Sequence, residues 1–113
     1  MAVRTAVAPR LLRAAQPLPA ASRLKPTLLL SLQAFDAAVR LGSFKEAAQA
    51  LHLTPSAISH RIRNLEKAMG GALFVRAHRA VEVTPTGRAL ARATGRAFSE
   101  LVRATSPLVG VEA

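Results

Sequence analysis

Thr54-Pro55-Ser56-Ala57-Ile58-Ser59-His60-Arg61-Ile62-Arg63-Asn64-Leu65-Glu66-Lys67-Ala68-Met69-Gly70-Gly71 reads as one helix with both ends marked. The Thr54 hydroxyl suits an N-cap, and Pro55 suits the first helical position, where its missing donor costs nothing. Gly70 is placed to end the helix in a left-handed conformation. Between these ends, Ile58, Ile62, Leu65 and Met69 recur at i, i+4, i+7 and i+11 and predict one apolar stripe. Ser56, Ser59, His60, Arg63 and Lys67 fall on the opposite side. Small donors early and cations later suit a helix that lies in a DNA major groove, touching base edges first and phosphates further along. An ordinary amphipathic helix has the same two faces, so the flanking sequence has to decide.

Upstream, Leu28, Leu32, Phe35 and Val39 repeat at helical spacing and predict a helix over 28–41, kept slim by Ala34, Ala37 and Ala38 and ended by Gly42. Ser43-Phe44-Lys45-Glu46 has the form of a capping box, which starts a short second helix with Phe44, Ala47, Ala48 and Leu51 on its buried face. His52-Leu53 then leads into the Thr54 cap. Short helix, three-residue turn and longer helix with a polar outer face predict a helix-turn-helix over 44–63, with Ala47 at the crossing. A plain helical hairpin of a bundle is the alternative.

Downstream, Ala72-Leu73-Phe74-Val75-Arg76 and Val81-Glu82-Val83 are β-compatible runs around the basic turn Ala77-His78-Arg79-Ala80. They predict a two-stranded wing over 72–83, with Arg76, His78 and Arg79 at or near its tip. There they suit phosphates or the minor groove, the wing role being favoured over a merely solvated loop and phosphate contact over base contact. Thr84-Pro85 repeats the Thr-Pro start, so a last helix is expected over 85–106, ahead of Pro107. Leu90, Ala93, Ala97, Leu101 and Ala104 continue an apolar stripe, with Phe98 and Val102 beside it and Arg88, Arg92 and Arg96 on another side. A stripe on a helix that leaves its domain suits dimerisation, here through Leu90, Ala97, Phe98 and Leu101. Folding back on its own domain is the alternative. The expected fold class is mainly α with a small two-stranded hairpin: a winged helix-turn-helix over 28–84, followed by a long linker helix.

The chain of 113 residues has room for one small domain and tails. Its four aromatic residues are all Phe, so the core must be built mainly from Leu, Ala, Val and Ile. With no Cys, disulfides and thiolate metal sites are excluded. A formal net charge of +10 favours a polyanion, nucleic acid ahead of an anionic membrane surface. Residues 1–27 contribute Arg4, Arg10, Arg13, Arg23 and Lys25 and no acid, while the rest is basic in its own right. With Pro9, Pro17, Pro19 and Pro26 and no sustained apolar period, 1–27 is expected to be a disordered basic arm. An N-terminal extension on a bacterial cytoplasmic protein is preferred to an organelle transit peptide. No run is long enough to span a membrane, so no membrane partner is expected. Enzyme function is not expected: His52, His60 and His78 lack carboxylates at ligand spacing, and no Gly-rich phosphate loop occurs. No cofactor and no metal site are expected.

From about Leu30 to Leu90 the text resembles the DNA-binding domain of the LysR-type transcriptional regulators. The resemblance rests on Leu32-Gln33-Ala34-Phe35-Asp36-Ala37-Ala38, Gly42-Ser43-Phe44, Ala47-Ala48, Leu51, Ser56-Ala57-Ile58-Ser59-His60-Arg61-Ile62, Leu65-Glu66, Leu73-Phe74-Val75-Arg76 and Val83-Thr84-Pro85-Thr86-Gly87. The Phe-Asp-Ala-Ala and Ser-His-x-Ile variants are similar to the subgroup of the glycine-cleavage activator and the β-lactamase regulator. The resemblance implies a winged helix-turn-helix, a homodimer built on the linker helix, and sequence-specific binding to double-stranded promoter DNA. It also implies that Ser56, Ser59 and His60 face DNA and that Arg63 and Arg76 approach the backbone. The position of Pro55 is often Gln in the family and reads bases; that of His60 is often Arg. Gly71 departs from the usual text before the wing and is expected to loosen it.

Family members normally continue into a larger effector-binding domain. This chain stops at Ala113, with a short tail over 107–113. It is therefore expected to be a fragment, a truncated reading frame or a stand-alone DNA-binding unit, with no small-molecule inducer site. Two other functions stay open beside specific regulation. One is a non-specific basic DNA-binding protein; the other is an interaction module that pairs with full-length relatives and poisons their dimers.

Overall fold

The computed structural model describes residues 23–77 and 80–109, with side chains throughout except at 76, 77, 80, 108 and 109. Most of the expected N-terminal arm, the end of the tail, His78 and Arg79 lie outside the described residues. Helix α1 (Pro26–Leu41) begins two residues earlier than its apolar repeat, because Pro26 occupies its first turn. It ends at Gly42, whose φ of 67° lets its N–H turn back to the Ala38 carbonyl. Helix α2 (Phe44–Leu51) starts where the Ser43 hydroxyl accepts the Glu46 N–H at 3.0 Å. His52 then takes a left-handed φ of 57°, and the Leu53 N–H bonds the Ala48 carbonyl at 2.8 Å. That half-buried Leu53 is the apolar centre of the expected turn.

Helix α3 (Pro55–Met69) is capped as expected, with the Thr54 hydroxyl accepting the Ala57 N–H at 3.1 Å. Gly70 closes it at φ 80°, bonding the Glu66 and Lys67 carbonyls. Strands β1 (Phe74–Ala77) and β2 (Ala80–Val83) form an antiparallel hairpin in which Phe74 faces Val83 and Ala77 faces Ala80. Helix α4 (Pro85–Val109) follows directly. The fold is the mainly α class with a small hairpin that the sequence predicts.

α1 packs on both α2 and α3, and α4 returns against α1 and β2. Phe35, Ile58, Ile62, Leu65 and Leu73 are the largest fully buried side chains. Three of the four Phe residues meet at the centre. Phe74 lies 5.4 Å from Phe35 and 5.3 Å, edge-on, from Phe44, so β1 is tied to both α1 and α2.

Three expectations need correction. The buried face of α1 is Ser31, Ala34, Phe35 and Ala38, with Leu28, Leu32 and Val39 at its margins. Ala34 and Ala38 are themselves part of the contact surface, 0% and 1% exposed beside the fully buried Phe35. Met69 is 45% exposed, since the α3 stripe stays buried only as far as Leu65 and the last turn protrudes before Gly70. Finally, α4 does not stop ahead of Pro107 but carries it inside and continues to Val109. Proline removes one donor from an exposed final stretch, where the carbonyls can meet water. The Thr105 and Ser106 hydroxyls bond the Leu101 and Val102 carbonyls at 2.7 and 2.6 Å in the turn before it.

Candidate nucleic-acid interface

With Ile58, Ile62 and Leu65 turned into the core, α3 can present only its other side outward. Pro55, Ser56, His60, Arg63 and Lys67 are exposed there, and Ser59 is half-buried at the margin. The expected groups therefore share one outward face, hydroxyls in the first turns and cations in the later ones. Asn64 extends that face: its Nδ2 lies 3.3 Å from His60 Nε2. When Nε2 is unprotonated the amide donates to it, leaving Nδ1 as the imidazole's donor. Asn64 is not among the residues that the sequence pattern singles out. Its i, i+4 relation to His60 is the signal that could have found it.

The hairpin is fastened to this helix by a carboxylate. Glu66 Oε2 accepts the Leu73 N–H at 2.8 Å and, at longer range, the Phe74 N–H at 3.4 Å. The Gly71 N–H also bonds the Glu66 carbonyl, at 3.1 Å. The second glycine therefore does not leave the approach to the wing untethered. On the far side of the hairpin, the Thr84 N–H bonds the Leu73 carbonyl at 3.0 Å. Its hydroxyl donates to the Ala72 carbonyl at 2.8 Å and accepts the Gly87 N–H at 3.0 Å. Thr84 thus caps α4 and closes the base of the wing at once. The Thr-Pro text reveals the cap, whereas nothing in it points to the bonds across the hairpin, and the Glu66 bonds have no local signature either.

Arg76 lies in β1, in register with Val81. His78 and Arg79, expected at the wing tip, lie outside the described residues, between the paired Ala77 and Ala80. The expected dimerisation residues divide. Leu90 is half-buried against the domain's own core, whereas Ala97 is exposed and Leu101 is 57% exposed. Phe98, Leu101 and Val102 line an open apolar groove with Leu29, Leu30 and Leu51. Among the described residues no group of three or more His, Cys, Asp or Glu side chains could hold a metal. No helix there is long and apolar enough to cross a membrane.

A short capped helix, a left-handed turn, a second helix with its polar face outward and a hairpin bonded to it define a winged helix-turn-helix. Residues 29–88 match the bacterial regulatory helix-turn-helix proteins of the lysR family, and the chain belongs to that family. It is 48% identical over 80 residues to the HTH-type transcriptional regulator y4mQ of Sinorhizobium fredii, which covers 71% of this chain and 27% of that one. Over 86 residues it is 41% identical to the glycine cleavage system transcriptional activator of Escherichia coli, covering 76% of this chain and 28% of that one. Among solved structures it is similar to the BenM DNA-binding domain in complex with catB site 1 DNA. That likeness has a TM-score of 0.65 at 31% identity and covers 71% of this chain and 89% of the other. The chain thus spans about a quarter of the length of those two curated relatives and corresponds to their DNA-binding part.

Proposed function

We propose that this chain binds double-stranded promoter DNA sequence-specifically, as the DNA-binding part of a cytoplasmic regulator of transcription. The observation that carries this reading is the outward face of α3. Its hydroxyls, imidazole and guanidinium are grouped clear of the core, on a helix capped at both ends and bonded to the hairpin beside it. Ser56, Ser59 and His60 read base edges, with Pro55 shaping the first turn. Arg63, Arg76, His78 and Arg79 hold phosphates on either side. The likeness to a DNA-bound BenM domain supports the same orientation. Two copies pair through the exposed part of α4, where Ala97, Phe98 and Leu101 supply the apolar surface and Leu90 serves the domain itself. A pair of this kind selects a dyad-symmetric site with half-sites spaced by whole helical turns.

The test is a selection from random duplexes followed by titration of the winning site. A dyad bound at least about 10³-fold more tightly than random sequence is expected. Equal affinity for both would leave only a general polyanion binder. Within the selected site, Ser59→Ala is expected to relax one base position. Arg63→Ala is expected to weaken all sequences alike and lower the salt slope by about one unit.

A further inference from the structure

We infer that Asn64 is a positioning residue for His60 and thereby sets which base His60 reads. It fixes the imidazole as a hydrogen-bond donor at Nδ1, and the target of that donor is the major-groove edge of guanine. This rests on the reading of α3 as the groove helix and names the contact made there. Both side chains are exposed on α3 one turn apart, with Asn64 Nδ2 at 3.3 Å from His60 Nε2. An amide nitrogen can only donate, so Nε2 accepts. A neutral ring that accepts at one nitrogen carries its proton on the other.

The surroundings of the pair leave this tautomer in place. A carboxylate beside the ring would draw the proton to Nε2 and reverse it. The single acid of α3 is Glu66, and its Oε2 is taken by the Leu73 and Phe74 N–H groups on the hairpin side. Arg63, exposed on the outward face, adds donors and no acceptor. With Nε2 occupied, the ring can give a hydrogen bond to DNA but cannot take one. Guanine suits it best, because both polar groups on its major-groove edge, N7 and O6, are acceptors. Adenine and cytosine each place an amino donor on that edge, and thymine sets a methyl group beside its one acceptor.

The test uses the whole chain, isotope-labelled on histidine. Long-range proton–nitrogen spectra of the neutral ring should show the His60 proton on Nδ1. In Asn64→Ala it should return to Nε2, the nitrogen that a free neutral histidine prefers to protonate. A parent ring protonated on Nε2 would overturn the proposal. Sites selected from random duplexes should carry guanine at the position that His60→Ala relaxes. Removing one of its acceptors, with 7-deazaguanine for N7 or 2-aminopurine for O6, should weaken the parent on the order of tenfold and leave His60→Ala unaffected. Asn64→Ala should lose the same preference at an unchanged melting temperature and salt slope, because the amide is exposed and uncharged. A guanine preference that survives Asn64→Ala would overturn the proposal. So would one that Asn64→Ala abolishes and His60→Ala leaves intact, which would make Asn64 the reader itself. If the parent shows no sequence preference, the reading of α3 fails; the spectra, recorded without DNA, judge the Asn64–His60 pair separately.

Discussion

The two halves of α4 share one apolar repeat and lead opposite lives. In the first half, Gly87 is buried, Leu90 and Ala91 pack on the core, and buried Thr94 bonds the Leu90 carbonyl at 2.8 Å. In the second, Leu101 and Val102 are 57% and 59% exposed, and the ion pair between Arg103 and Glu100 is exposed as well. Helical spacing shows which residues share a side but not what covers that side. The domain buries the stripe as far as Thr94 and covers Phe98 in part. Beyond it the helix carries apolar surface that suits a second copy.

Substitutions can break this contrast, and the core beneath the first half should respond most. Phe35→Ala would empty the centre of the Phe cluster and is expected to cost about 3–5 kcal/mol, measured by urea unfolding. Gly87→Ala comes next. A Cβ there would meet the Leu73 carbonyl and lie 2.6 Å from Val83 Cγ1. The clash is with backbone, so a loss of about 3 kcal/mol is expected. Unfolding at parental stability would show that the helix start shifts freely. Glu66→Ala should cost on the order of 2 kcal/mol by leaving the Leu73 N–H unbonded, with Glu66→Gln recovering most of it. Amide exchange at Leu73 reads this directly, and unchanged protection would remove Glu66 as the anchor. Leu101→Ser should change stability of the folded unit by no more than about 0.5 kcal/mol. If two copies pair along this half, sedimentation should nevertheless show at least a tenfold weaker dimer; an equal loss of stability would place Leu101 in the core.

How much was legible follows the range of the interactions. Helix ends are written within four or five residues, so Ser43, Thr54, Gly42 and Gly70 reveal them. The buried side of α3 is legible as far as Leu65, because three large aliphatics leave little choice. Met69 escapes the pattern because its burial depends on where the neighbouring helices stop. Ala34 and Ala38 are easily undervalued, because a methyl group is worth little until another helix comes close enough to use it. The outward residues of α3 can be identified from the sequence, Asn64 only through its i, i+4 relation to His60, while the role of Glu66 cannot. The Glu66 bonds cross seven and eight residues to backbone groups that no side-chain pattern marks.

Thr84 and Gly87 have a consequence beyond stability. The Thr84 hydroxyl is shared between the Ala72 carbonyl and the Gly87 N–H, and Gly87 lies against the Leu73 backbone. The direction in which α4 leaves is therefore locked to the hairpin, and through Glu66 to α3. In a pair joined along α4, that chain of fixed joints would act as a ruler. The separation of the two α3 helices would be set by the angle at residues 84–87, and a small change there would retune the spacing of the site without altering a single reading residue.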